Sequence, residues 1–393
     1  MQSKIKDIVD ASMKKMVSWR EYLHAHPELS FQEVNTSAFV ASILEELSIP
    51  YQHGIAGTGV VALIKGQNPE KQCIALRADL DALPIHEENE VPYKSKKHGV
   101  MHACGHDVHT TCLLGAAIVL NQLKNEFEGT IKLIFQPGEE ILPGGASLMI
   151  NEGVLENPKV DKILALHVYP SMDVGKVGFK PGLYMAACDE LYLTIKGKGG
   201  HAALPNVYNN PVMLISKLLP KLESYLESLS DSTSPFVFAF GKLEAEGSTN
   251  IIPEFAKASG TLRTMNEQWR NTIHKKLKVF VDQFLTSNNA EGQLEIIKGY
   301  PCLNNDEFLT ENCIQSAKEY LGSENVELLD VRMTAEDFSF FSQKIPACFF
   351  RLGVRNEDLG IVYGVHHPKF DIDKNALKFG AGLMAYITIN AFD

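Results

Sequence analysis

The strongest constraint in this sequence is a change of pattern that begins near its middle and later reverses. Up to about residue 184, short apolar runs alternate with helical stripes. Residues 74–77, 131–135 and 163–166 are rich in Ile, Leu and Val and bounded by polar turns, so they read as buried strands. Between the first two, His109, Cys112, Leu113, Ala116, Ala117 and Leu120 keep a period of about 3.6 residues, the mark of a helix lying on a sheet. From residue 189 the order becomes strand (189–196), helix (211–229), strands (236–243 and 255–265), helix (267–285) and strand (293–298). That βαββαβ order is ferredoxin-like. After Gly299-Tyr300-Pro301 the first pattern returns, with a helix at 308–320, an apolar strand at 348–352 and a closing helix at 376–389. The expected architecture is therefore an α/β chain: a mixed-sheet α/β/α domain formed by residues 1–184 and 299–393, carrying an inserted α+β domain at 185–298.

Composition narrows the functions open to such a fold. A chain of 393 residues with 45% apolar and 22% charged residues has ample material for two cores. Thirty-seven basic against 48 acidic side chains leave a net charge of −11. A field of that sign repels phosphate, so neither nucleic acid nor an anionic membrane is an expected partner. No apolar run approaches the ~20 residues that span a bilayer. The first twenty residues are polar and carry a helical stripe (Ile5, Ile8, Val9, Met13, Met16, Val17) in place of a signal-peptide core. Seven scattered cysteines with no CxxC pair are a reduced-thiol pattern. The expected location is the cytoplasm.

The chemically capable side chains gather at strand ends. The segment from His102 to His109 holds three histidines, Cys104 and Asp107 within eight residues. Thiolate and imidazole suit zinc-like metals, and a cysteine without a partner CxxC suits an open site completed from elsewhere in the chain. Glu139 and Glu140 follow the strand at 131–135, where open α/β sheets bind ligands. Adjacent residues in extended chain point to opposite sides, so one glutamate can hold a metal while the other handles a water. Spacing alone does not say which does which. Each group has a plainer explanation: a polar helix start, a solvated acidic turn, or a structural histidine at 167 or 366. Their coincidence at the ends of neighbouring elements outweighs these. Asp79 and Asp81 close another strand, where a carboxylate can orient a metal-binding imidazole or simply cap a turn.

Five segments together resemble the M20 metallopeptidases. They are the run from His24 (His-Ala-His-Pro-Glu-Leu-Ser), Arg77-Ala-Asp-Leu-Asp-Ala-Leu-Pro-Ile, Met101-His-Ala-Cys-Gly-His-Asp-Val-His, Phe135-Gln-Pro-Gly-Glu-Glu and Gly199-Gly-His-Ala-Ala. The resemblance runs in order from about residue 20 to 385. It is nearest to the branch acting on N-acyl amino acids, which includes hippurate hydrolases and auxin-conjugate hydrolases. It implies a metallohydrolase domain with two divalent ions (Zn, Mn, Co or Ni), bridged by Cys104 and completed by His106, Glu140, His167 and His366. Glu139 would be the general base and Asp79 an outer partner of the ligands. The inserted domain would be a lid that also forms a homodimer, with His201 in a catalytic role and Asn250 and Arg263 reading the substrate.

The expected substrate is an N-acyl amino acid (N-acetyl, N-benzoyl or similar) or a short peptide, cleaved at its amide to a carboxylic acid and a free amine. Three positions depart from the family pattern. Asn206 and Asn210 stand where many relatives have His and Asp, Thr334-Ala335 precedes Glu336-Asp337-Phe338 in place of Gly-Ser, and His367 follows His366. The competing functions are a dipeptidase or carboxypeptidase of the same family, a hydrolase with Cys104 as nucleophile and His106 as base, and a non-catalytic metal-binding protein. A dinucleotide enzyme is weaker still, because Gly197, Gly199 and Gly200 lack the Rossmann spacing.

Overall fold

A computed structural model describes residues 1–230 and 235–392; residues 231–234, inside the inserted segment, and residue 393 lie outside the described residues. The chain forms two compact units. The first comprises 1–184, 304–331 and 337–393, and the second 185–303 and 332–336. The strip at 332–336 joins the second unit because the Ala186 amide donates to the carbonyls of Arg332 and Thr334.

The first unit opens with α1 (Gln2–Ala25) and α2 (Val34–Glu46), followed by β1 (Tyr51–Ile55), β2 (Gly59–Lys65) and β3 (Cys73–Asp79). Next come α3 (His106–Gln122), β4 (Thr130–Gln136), α4 (Gly145–Asn151), β5 (Lys162–Asp173) and β6 (Val177–Phe179), with β7 (Gly182–Met185) at the end of this stretch. The second unit contains β8 (Ala187–Lys196), β9 (Gly200–His201), α5 (Pro211–Leu229), β10 (Phe236–Glu244), β11 (Ile251–Ile252), β12 (Phe255–Thr264), α6 (Glu267–Ser287) and β13 (Glu291–Lys298). The chain then runs through β14 (Leu303–Asn305), α7 (Glu307–Leu321), β15 (Val326–Leu328), α8 (Ser339–Ser342), β16 (Ala347–Arg355) and α9 (Ala376–Asn390).

Eight strands of the first unit form one mixed sheet in the order β1-β2-β4-β3-β5-β16-β6-β15. β3, β4, β5 and β16 are mutually parallel where they pair, so their carboxyl ends share one edge. β3 and β4 are buried at every residue, as strands covered on both faces must be. Helix α3 is buried along almost its whole length, packed with α1 and α9 in the main core. An apolar helix of this kind is an interior element, and each polar group on it needs a partner.

The second unit is an antiparallel sheet in the order β10-β12-β8-β13, the ferredoxin-like arrangement expected. In β8 and β12 the buried Leu191, Leu193, Ile195, Ala256, Ala258 and Leu262 alternate with outward polar residues, and α5 and α6 cover the buried face. Arg270 is anchored in this unit by Asp189, Glu267 and the carbonyls of Cys188 and Gly299.

Candidate metal centre

The parallel strands deliver the candidate residues to one edge. Cys104 and His106 lie at the start of α3, after β3; Glu139 and Glu140 follow β4; His366 follows β16. His167 differs from expectation, since it lies inside β5 and not at its end. β5 continues to Asp173 because β16 stays paired with it beyond His167, whereas β3 leaves after Ala165. His167 therefore stands on the lip of a gap in the sheet.

Five donor sets lie here among the described residues. Three join the candidate ligands: Cys104 with His106 and His167, Cys104 with Glu140 and His366, and His106 with Glu139 and Glu140. Two add Asp79 with His106 and His109, and Glu139 with Glu336 and Asp337. In each set the donor atoms lie within 4.8 Å of one another. Cys104 belongs to two sets, the position a shared thiolate would take. Its Sγ is 3.5 Å from His167 Nε2. His366 Nε2 is 3.4 Å and His106 Nε2 3.9 Å from Glu140 Oε1.

His106 and His167 each have one ring nitrogen tied back and the other turned inward. His106 Nδ1 donates to Asp81 Oδ1 at 3.1 Å. His167 Nδ1 donates to the Val168 carbonyl at 2.8 Å. His106 Nε2 and Glu140 Oε1 are buried without a hydrogen-bond partner, an expensive condition in a protein interior unless a cation completes it. The donor set fits a divalent-metal pair: a thiolate, three imidazoles and a carboxylate, with outer hydrogen bonds fixing two of the rings.

The electrostatics follow from burial. Desolvation pushes the Cys104 thiol upward and Glu140 adds to this, so a bare thiolate is disfavoured. Burial alone would depress His106, but Asp79 and Asp81 outweigh it and raise the imidazole well above its ordinary range. His167 is driven well below its ordinary value by burial and by His109. His366 is pushed up to about 10 by the Cys104 thiol and the Glu140 carboxylate beside it.

The surrounding residues hold the turns in place. Asp81 also accepts from Ser30 Oγ and from the Glu140 amide, so one carboxylate links His106 to the glutamate turn. Glu33 accepts from the Gly138 amide at 2.8 Å. Gly138 has φ +59°, and a Cβ there would meet the Phe31 ring at 2.4 Å. His366 has φ +64°, a costly backbone for a residue with a Cβ, and its amide is held by the Ala103 carbonyl at 2.7 Å. His367 points its chemistry elsewhere: its ring stacks on Tyr363 and its Nδ1 accepts from the Lys369 amide. Asp79 lies 3.8 Å from His106 Nε2, but its hydrogen bonds go to Arg77 and His109. Arg20 joins Asp107 to Asp371, with His24 also on Asp107, beneath the same loops.

The sequence offers Asp81 as an orienting group or cap and His109 as a helix-face member of the histidine cluster, and gives no sign of Glu33. The signal for His109 was available, because an imidazole among Cys112, Leu113 and Ala116 on a buried face needs polar partners. Glu33 had none, since the partners that tie it to the site, Thr58 and Gly138, are distant in sequence.

The remaining candidates lie in the second unit. His201 is exposed on β9, where its Nδ1 accepts from the Ala203 amide, and it pairs across a short ribbon with Ile251. The Asn250 carbonyl receives the Ala202 amide from that ribbon. Arg263 is half-buried on the open face of the four-stranded sheet and donates to Thr261 Oγ1.

A sequence profile of peptidase family M20/M25/M40 matches residues 75–390. The chain belongs to this family. Among M20 relatives, an N-acetylcysteine deacetylase of Bacillus subtilis is 35% identical over 381 residues, covering 95% of this chain and 96% of the relative. Thermostable carboxypeptidase 2 of Saccharolobus solfataricus is 36% identical over 389 residues, 98% of each chain. The crystal structure of a dinuclear metal binding M20 peptidase from Bacillus subtilis superposes with a TM-score of 0.83 at 31% identity, covering 98% of this chain and 99% of that one. The protein is thus a hydrolase of the amidohydrolase and peptidase kind. Among its described residues no helix is long and apolar enough to cross a membrane.

Proposed function

We propose that this M20 hydrolase cleaves the amide bond of N-acyl amino acids, using two divalent ions held by Cys104, His106, Glu140, His167 and His366. The observation that carries the reading is Cys104, shared between two convergent donor sets and flanked by a glutamate pair of which only one member is needed as a ligand. Zinc, manganese, cobalt and nickel all suit this mixed sulfur, nitrogen and oxygen shell. Bound there, the ions would polarise the substrate carbonyl and bring the pKa of a water toward ~7.

The chain's own residues supply the rest. Glu139 takes the proton of the attacking water as the C–O bond forms, and returns it to the nitrogen as the C–N bond breaks. The products are a carboxylic acid and a free amino acid. In a homodimer, His201 of one chain would serve the neighbouring chain's site and donate to the oxyanion that develops on the carbonyl oxygen. Arg263 offers a planar fork to the substrate carboxylate, and Asn250 a further hydrogen bond. The second unit acts as lid and dimer contact in this reading, and the free cysteines fit a reducing compartment such as the cytoplasm.

Among M20 substrates, the N-acetylcysteine deacetylase favours an acyl amino acid and the carboxypeptidase relative favours a peptide. A panel decides between them: N-acetyl and N-benzoyl amino acids against dipeptides and carboxypeptidase substrates, before and after chelation and metal readdition. We expect chelation to abolish turnover, readdition to restore it, and acyl amino acids to give the highest kcat/KM. Full activity in metal-free protein would refute the mechanism, and faster peptide cleavage would refute the substrate assignment. A Cys104 nucleophile is disfavoured, because burial raises its thiol and Asp81 holds the Nδ1 of its proposed base.

A further inference from the structure

β5 loses its neighbour on one side just before it presents His167. Pairing between β3 and β5 runs from Ile74–Lys162 to Arg77–Ala165 and stops, while β16 stays paired through His167 and Val168. α3 fills the gap. Its Thr110 hydroxyl donates to the Asp79 carbonyl at 2.8 Å. Its His109 Nε2 receives the Val168 amide at 2.9 Å, in the place of the acceptor a continuing β3 would have provided. A peptide N–H can only donate, so Nε2 is the acceptor and the ring proton sits on Nδ1. That proton is directed at Asp79 Oδ1, 2.6 Å away, and Arg77 holds the other oxygen of Asp79 at 2.6 Å. Val168 is the pivot. Its amide is fixed by His109 and its carbonyl accepts from His167 Nδ1, which leaves the lone pair of His167 Nε2 facing Cys104 Sγ.

We propose that His109 is a positioning residue for His167: with Arg77 and Asp79 behind it, it fixes the Val168 peptide and thereby the tautomer and direction of the His167 ring. This assignment rests on the reading of His167 as a metal ligand. It gives the buried Asp79 a specific partner, one step removed from the ring it orients. It also gives a fully buried imidazole on α3 a structural task.

The test is Co²⁺ titration of the full-length protein, followed by its visible and near-ultraviolet absorption, in wild type, His109→Leu and His109→Gln. Wild type should take up two Co²⁺ per chain. His109→Leu should bind one of them about 10- to 100-fold more weakly, with changed absorption bands. His109→Gln, whose amide can accept from Val168 and donate to Asp79, should recover most of that loss. Loading of His109→Leu identical to wild type would overturn the assignment while leaving the metal centre intact. Equal losses in Leu and Gln would also overturn it, since the ring would then be needed for packing alone. If wild type bound no Co²⁺, the metal reading and this inference would fall together. Should His109→Leu fail to fold, nitrogen-15 NMR of histidine-labelled wild type decides: a neutral ring protonated at Nδ1 supports the relay, and a proton on Nε2 refutes it.

Discussion

Two candidate ligands of the first unit and two candidate substrate-reading residues of the second are presented in opposite ways. In the first, the imidazoles of His106 and His167 are buried, and each has one nitrogen committed to an outer partner. In the second, His201 and Asn250 are exposed, and the contacts of the His201 ring and the Asn250 carbonyl are to neighbouring backbone. The contrast follows from solvation. Donors for a cation must be aimed before it arrives and cannot be rearranged cheaply in a dry interior. Groups that meet a soluble substrate must first be open to water. Substitutions in the first unit should therefore act on metal loading or the chemical step, and those in the second on substrate recognition or on the stability of that unit.

The largest expected effect is at Glu139. Glu139→Gln preserves shape but cannot accept the water's proton, so kcat should fall by about 10²–10⁴ while both metals stay bound. Glu140→Gln should instead lower metal content, read by elemental analysis. Exchanged phenotypes would reverse the roles of the pair. Next is Asp81→Asn, which weakens the hold on His106 Nδ1 and on the Glu140 amide together. Metal affinity should fall by about 10- to 100-fold. Unchanged affinity would mean that the ring is held by packing alone.

This contrast was only partly legible in the sequence. The strands and helices that build both sheets follow from apolar periodicity, because β3, β4 and α3 are buried enough for the pattern to be unambiguous. β1, β2, β6 and β15 escaped it: β1 is mostly exposed, β6 and β15 are only three residues long, and the buried β2 was passed over. Ligand types at strand ends were visible because parallel strands bring their carboxyl ends to one edge. The outer pairings were less so: Asp79 and Asp81 read as orienting carboxylates, but which ring each holds does not. Asp81 to His106, Glu33 to Gly138 and His109 to Val168 link positions 25 to 105 residues apart, and no local spacing encodes such pairs. His167 also shows why strand ends are hard to place from composition: β5 runs on because its neighbour on one side does, while its neighbour on the other side stops.

In the second unit, Arg263→Ala should raise KM about tenfold for substrates with a free carboxylate, the loss of one hydrogen-bonded charge contact. The matching amino-acid amides should be affected much less. Equal losses on both would show that Arg263 supports the sheet, through Thr261, and does not read the carboxylate.

The smallest effect should come from Asn210, one of the positions at which this chain departs from its relatives. Its side chain accepts from the Val212 and Met213 amides and caps α5, with Pro211 in the first helical position. Asparagine and aspartate are nearly equal as caps, so the departure leaves the local structure satisfied. Asn210→Asp should leave thermal stability almost unchanged, whereas Asn210→Ala should cost about 1 kcal/mol, seen as a lower unfolding temperature. In both variants kcat and KM should stay at wild-type values, because the cap orders α5 and takes no part in binding. A change in KM with unaltered stability would move Asn210 into the substrate-reading set with Arg263 and Asn250, and would show that the family's aspartate at this position had a role its replacement only partly fills.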